Sequence, residues 1–114
     1  MSFQTGLSGL SAASRNLDVI GNNIANANTI GAKVARAEFS EIVAASTIAA
    51  NGRTEGIGVE VATVAQQFTQ GTVNVTGNPL DIAINGAGFF RLTLPDGSAA
   101  YTRGGEFKLD TEGN

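Results

Sequence analysis

Phe3, Leu10, Leu17 and Ile24 stand seven residues apart at the start of this chain, and Gly6, Ala13, Ile20 and Ala27 repeat at the same interval between them. In heptad terms these are the a and d positions, and Leu7 widens the stripe at its beginning. A sustained seven-residue repeat draws one narrow apolar seam along a helix. That geometry suits winding around another helix, not lying across a broad core. The remaining surface carries Ser8, Ser11, Ser14, Asn16, Asn22, Asn23 and Asn26, and only Arg15 and Asp18 are charged before Lys33. Helices that face water normally carry charged residues on the outer side. The segment therefore reads as an assembly element, with Phe3, Leu7, Leu10, Ala13, Leu17, Ile20, Ile24 and Ala27 as its seam.

The spacing predicts a helix over residues 3–28, with Ser2 as its N-cap and Gly31 as its stop. Such a helix is intrinsically weak. The run from Gly21 to Gly31 holds four Asn, one Thr and two Gly, each costing roughly 0.5–1 kcal/mol relative to Ala in a helix interior. Arg15 and Asp18 offer at best one i,i+3 pair. Order in residues 1–30 is expected to come with a partner. The alternative is an ordinary amphipathic helix docked by its stripe on its own domain, against which the narrowness of the stripe argues.

The rest of the composition narrows the function classes. The chain has 114 residues, a net charge of −3 and seven scattered basic residues, so no basic patch points to nucleic acid or an anionic membrane. It contains no Cys, His or Trp. Thiolate and imidazole metal sites, disulfides, and Ser–His or Cys–His catalysis are thereby excluded. No apolar stretch approaches the length of a membrane span, and the N-terminus lacks the basic and apolar regions of a cleaved secretion signal.

Further along, residues 32–48 fit either a short helix with Val34, Phe39, Ile42 and Val43 inward or an extended arm. Residues 49–58 read as a loop. After Gly58 the period changes to two: Val59, Val61 and Thr63, then Val73 and Val75, then Leu80, Ile82 and Ile84, then Phe90, Leu92 and Leu94. Gly77-Asn78-Pro79 and Pro95-Asp96-Gly97 are turn signals. With Tyr101, Phe107 and Leu109 these segments predict a β-meander. The fold class is α+β: a coiled-coil-forming helix at 1–30, an extended connector at 31–70 and an incomplete antiparallel β-domain at 71–114.

No catalytic constellation emerges. Asp81, Asp96, Glu106, Asp110 and Glu112 fall at turns or strand edges. The carboxylates around Asp96 and Asp110 lack the full calcium-loop pattern. Gly86-Ala87-Gly88 follows a strand but precedes another strand, so no helix N-terminus awaits a phosphate. Neither a metal nor a cofactor is expected.

Leu17-Asp18-Val19-Ile20-Gly21-Asn22-Asn23-Ile24-Ala25-Asn26, continuing through Thr29, Gly31 and Lys33, resembles the N-terminal signature of the bacterial flagellar rod and hook proteins. The later blocks Leu80 to Ile84, Gly88 to Leu92, Tyr101-Thr102-Arg103 with Gly105, and Phe107 to Asp110 resemble the β-region of the same family. Within it, the opening residues and the stretch from Gly56 to Ile84 are nearer the hook type than the distal-rod type. Ala32 departs from the pattern, which usually places an aromatic there.

The resemblance implies a structural protomer of an extracellular helical tube, acting as a universal joint between motor and filament. Export would be through the flagellar type III apparatus without a cleaved signal. Implied partners are further copies of the same chain, a C-terminal helix of the same protomer, the hook cap, the distal rod and the hook–filament junction proteins. That C-terminal helix is expected to span about 25–35 residues, matching the seam at ~1.5 Å per residue. Asn114 falls inside what reads as a turn, with more of the β-domain expected beyond it. A secreted binding or adhesive module is the competing class, and an enzyme is disfavoured by the missing His and Cys.

Overall fold

A computed structural model describes residues 2–43 and 56–113. The order of elements is α1 (Ser2–Ala25), β1 (Ala35–Val43), β2 (Gly56–Gln66), β3 (Phe90–Thr93) and β4 (Ala99–Thr102). They fall into two compact units: Met1–Ala25 with Val34–Gln67, and Asn26–Lys33 with Phe68–Asn114. The stretch expected to be a connector is thus divided between them, half of it forming the strands β1 and β2 beside the helix.

In the first unit, β1 and β2 pair antiparallel, with irregularities after Glu38 and after Ile42. Residues 35–43 are therefore strand, which resolves the choice between helix and extended arm. Phe39, Ile42 and Val43 are exposed. The expected loop at 49–58 lies mostly outside the described residues, and its last three residues open β2.

The helix α1 packs on this hairpin through Thr5, Ser8 and Asn23, each bonded to a strand backbone. Approach is closest at Gly58, where a Cβ would lie 2.6 Å from the Ser8 Oγ. Gly58 also has φ +149°, a conformation that a side chain disfavours. The helix ends at Ala25, three residues before the expected terminus and six before Gly31. Asn26 intervenes: its carbonyl accepts the Thr29 N–H at 3.0 Å and its Oδ1 accepts from the Thr29 hydroxyl at 3.3 Å. Local amide and hydroxyl bonds of this kind compete with helix continuation. Ala27, the last position of the seam, consequently sits in a turn. The cap expected of Ser2 falls outside the described side chains.

The second unit holds the β3–β4 hairpin, in register from Phe90 opposite Thr102 to Thr93 opposite Ala99. Its turn is the one expected at Pro95-Asp96-Gly97. The Leu94 N–H bonds the Ser98 carbonyl at 2.9 Å, the Gly97 N–H bonds the Leu94 carbonyl at 2.8 Å, and Gly97 takes φ +85°. The wider meander is not formed among the described residues. Leu80 to Ile84 is held by one bridge, Asp81 to Glu106, with the Ile82 N–H on the Gly105 carbonyl at 2.9 Å. Residues 72–76 pair with no strand, and Val75 is 97% exposed. Phe107 and Leu109 also lie outside any strand. Instead, Phe107 meets Phe90 edge to face at 5.3 Å, as Phe68 meets Phe89 at 6.0 Å.

Among the described residues neither unit closes a core. Among the described residues the one buried apolar side chain is Ala37. Most large apolar side chains are more than a third exposed, far beyond the scattered single residues of an ordinary surface.

Candidate assembly surface

The seam residues on α1 remain together, on the side of the helix turned away from the hairpin. Phe3 is 84% exposed, Leu10 and Ile24 70%, and Leu17 67%. Leu7, Ala13 and Ile20 are exposed as well. At 3.6 residues per turn, the half-buried positions Ser8, Ala12, Val19 and Asn23 fall on roughly the opposite side of the cylinder. The docking is thus the reverse of a simple amphipathic helix. Polar and small residues meet the chain's own strands, and the apolar stripe faces out.

The polar side does specific work. The Thr5 hydroxyl donates to the Ile57 carbonyl at 3.3 Å, and the Ser8 Oγ accepts the Val59 N–H at 3.3 Å. At the other end of the helix, Asn23 pairs with Ala35 through both amide atoms. Its Oδ1 accepts the Ala35 N–H at 2.9 Å, and its Nδ2 donates to the Ala35 carbonyl at 2.7 Å. Helix side chains therefore satisfy backbone groups on β1 and on β2 that the hairpin alone leaves open.

The remaining signature residues separate by role. Leu17 and Asp18 are exposed, Ala25 ends the helix, and Asn22 is exposed and engaged in an interaction of its own. In the second unit, Asn26 and Thr29 make the turn described above. Gly31, at φ +76°, lies so close to residues 103–104 that a Cβ would stand 2.3 Å from the Gly104 nitrogen. Lys33 donates its Nζ to the Thr69 carbonyl at 2.9 Å. Asn23, Asn26, Thr29, Gly31 and Lys33 thus serve local architecture and not the apolar stripe.

Sequence reasoning missed Arg103 and Gln70 as a structural centre of the second unit. The Arg103 guanidinium donates to the carbonyls of Ile84 (3.1 Å), Gly86 (2.5 Å) and Gly88, and to the Gln70 Oε1 at 2.7 Å. Nη1 serves Gly88, while Gln70, Ile84 and Gly86 share the two N–H groups of Nη2, so at least one of those N–H groups is divided between two acceptors. Nearby, Asp81 accepts from the Thr76 hydroxyl at 2.6 Å and from the Asn78 Nδ2 at 3.1 Å. An open groove of about 520 Å³ in this unit is bordered by Lys33, Val73, Val75, Asp81 and Arg103. Among the described residues no cluster of carboxylates is placed to hold a metal, and no helix is long and apolar enough to cross a membrane.

The profile of the flagella basal body rod protein family matches residues 3–33, and that of the flagellar hook protein FlgE/F/G D1 domain matches residues 83–114. The chain is 50% identical over its entire length to the flagellar hook protein FlgE of Salmonella typhimurium and 49% identical to that of Escherichia coli K12. It is 42% identical, over 93% of its length, to the flagellar basal-body rod protein FlgG of Agrobacterium fabrum. It spans 27% of the length of the two hook proteins and 45% of the rod protein. The chain belongs to the flagellar hook and rod protein family.

Proposed function

We propose that this chain is part of a structural protomer of the flagellar hook, a helical tubular polymer joining the rod to the filament. The observation that carries this reading is the outward-facing seam of α1, from Phe3 to Ile24. Exposed leucine and isoleucine side chains at heptad spacing have their apolar surface covered only when another helix supplies holes for them. The near absence of a closed core in either unit supports the same reading, because a subunit that gains its burial from neighbours needs little of its own.

The hook type is favoured over the distal rod. The match to the hook proteins covers all 114 residues in an alignment of the same length. The Agrobacterium rod alignment needs 118 positions for 93% of the chain, so it carries gaps. The partners in this reading are further copies of the protomer and a helix from the protomer's own C-terminal part. At the two ends of the tube the partners are the hook cap, the distal rod and the hook–filament junction proteins. Residence is outside the cell, reached by flagellar type III export without a cleaved signal, and the role is structural and not catalytic.

Deleting the gene and imaging purified basal bodies tests the assignment. The hook reading predicts complete rods that lack hooks. Rods that stop short would favour the distal-rod reading, and normal hooks would defeat both.

A further inference from the structure

Two Asn-Gly steps occur in this sequence, Asn51-Gly52 and Asn85-Gly86. The second lies in the loop that Arg103 and Gln70 hold. Asn85 itself is exposed to water. Its neighbour's N–H, that of Gly86, donates to the Gln70 Oε1 at 3.2 Å, and the Gly86 carbonyl is held by the Arg103 Nη2 at 2.5 Å. The Arg103 Nη2 also bonds the Gln70 Oε1 at 2.7 Å, so both sides of Gly86 are tied into one clasp.

We propose that Asn85 is a latent deamidation site whose reaction is held back by the Gln70–Arg103 clasp. Glycine after asparagine removes the side chain that would otherwise hinder attack on the asparagine amide. The Gly86 nitrogen loses its proton and bonds to the Asn85 Cγ. The bond from Cγ to the side-chain nitrogen then breaks, and ammonia leaves with the proton. Solvent water opens the resulting cyclic imide to aspartate or isoaspartate. The net change is addition of water and loss of ammonia, and it needs no other reactant.

The clasp opposes the first step in two ways. Gln70 stabilises the protonated form of the attacking nitrogen by accepting its hydrogen. Fixing the Gly86 carbonyl restrains the rotation that would carry that nitrogen toward Cγ. The positive guanidinium acts in the other direction by favouring loss of the proton, but the restraint on geometry prevails while the loop is held. Release of the clasp, and not exposure of Asn85, sets the rate.

The test is peptide-resolved mass spectrometry of the full-length protein aged in mildly alkaline buffer, natively and in urea. Wild-type Asn85 should convert several-fold more slowly in the native state than in urea. Gln70→Ala should raise the native rate several-fold while leaving conversion at Asn51 unchanged, which marks the effect as local. Gln70→Asn, whose shorter amide does not reach Gly86, should do the same if the alanine variant proves unstable. Equal wild-type rates in the native state and in urea would overturn the proposal. So would native rates in both Gln70 variants that match wild type.

Discussion

Asn23 and Ala35, twelve residues apart, bond each other as two strand residues would: the Ala35 N–H reaches the Asn23 Oδ1 at 2.9 Å, and the Asn23 Nδ2 reaches the Ala35 carbonyl at 2.7 Å. The side chain of a helix residue here takes the place of a missing neighbouring strand. Asn23→Ala leaves both Ala35 groups without these partners and should destabilise the first unit by about 1–3 kcal/mol. Asn23→Asp, isosteric but without the donor, should cost at least as much because a carboxylate then faces a carbonyl. Urea denaturation of the full-length protein, with amide exchange at Ala35, checks both.

Leu17 offers the contrasting case, since its side chain is 67% exposed. Leu17→Asp should change the stability of the unassembled protein by no more than about 0.5 kcal/mol, as expected for an exposed position. Polymerisation should nonetheless be abolished, because an unpaired charge buried in a helix–helix seam costs several kcal/mol and recurs in every subunit. Circular dichroism of the monomer and electron microscopy of cells making only the variant separate the two effects.

Asp96 ties the β3–β4 turn to pH. The Ser98 hydroxyl (2.6 Å) and then the Ser98 N–H (2.9 Å) bond its Oδ1 and hold its pKa below the ordinary 3.8. A folded pKa lowered in this way contributes stability above the unfolded value, and that contribution disappears as the pH falls through the folded one. Carboxyl NMR titration should place the Asp96 midpoint below 3.8. Ser98→Ala should move it part of the way back, because the backbone bond remains.

Gly105 is the least replaceable glycine of the second unit. It is buried, and a Cβ there would stand 1.6 Å from the Ile82 carbonyl oxygen. The Phe90 ring closes the same site at 3.2 Å. Gly105→Ala should force Ile82 away and break the bond between the Ile82 N–H and the Gly105 carbonyl, at a cost of several kcal/mol. Loss of the Phe90–Phe107 contact in aromatic NMR signals would report it.

What the sequence made legible follows the range of the interaction involved. The outward apolar stripe of α1 is legible because heptad spacing is a property of the helix itself, and the Pro95-Asp96-Gly97 turn because its bonds close within five residues. The Asn23–Ala35 pair and the Arg103 clasp are not legible, because each depends on where tertiary folding carries a distant backbone. Val73 and Val75 mislead for a related reason: alternation shows that a segment can lie in a sheet but not that a strand waits beside it. Asn26 looks in sequence like one more surface amide of a longer helix, whereas its bonds to Thr29 end that helix early.

In an assembled hook, the apolar stripe of α1 must face another helix. Electron cryomicroscopy of hooks built from the full-length protein measures this directly. Leu10, Leu17 and Ile24 should be buried against a facing helix, with Ser8 and Asn23 still on the protomer's own β1–β2 hairpin. A map in which the stripe faces water, or packs on that hairpin while Asn23 points away from it, would rule out a helix–helix role for α1.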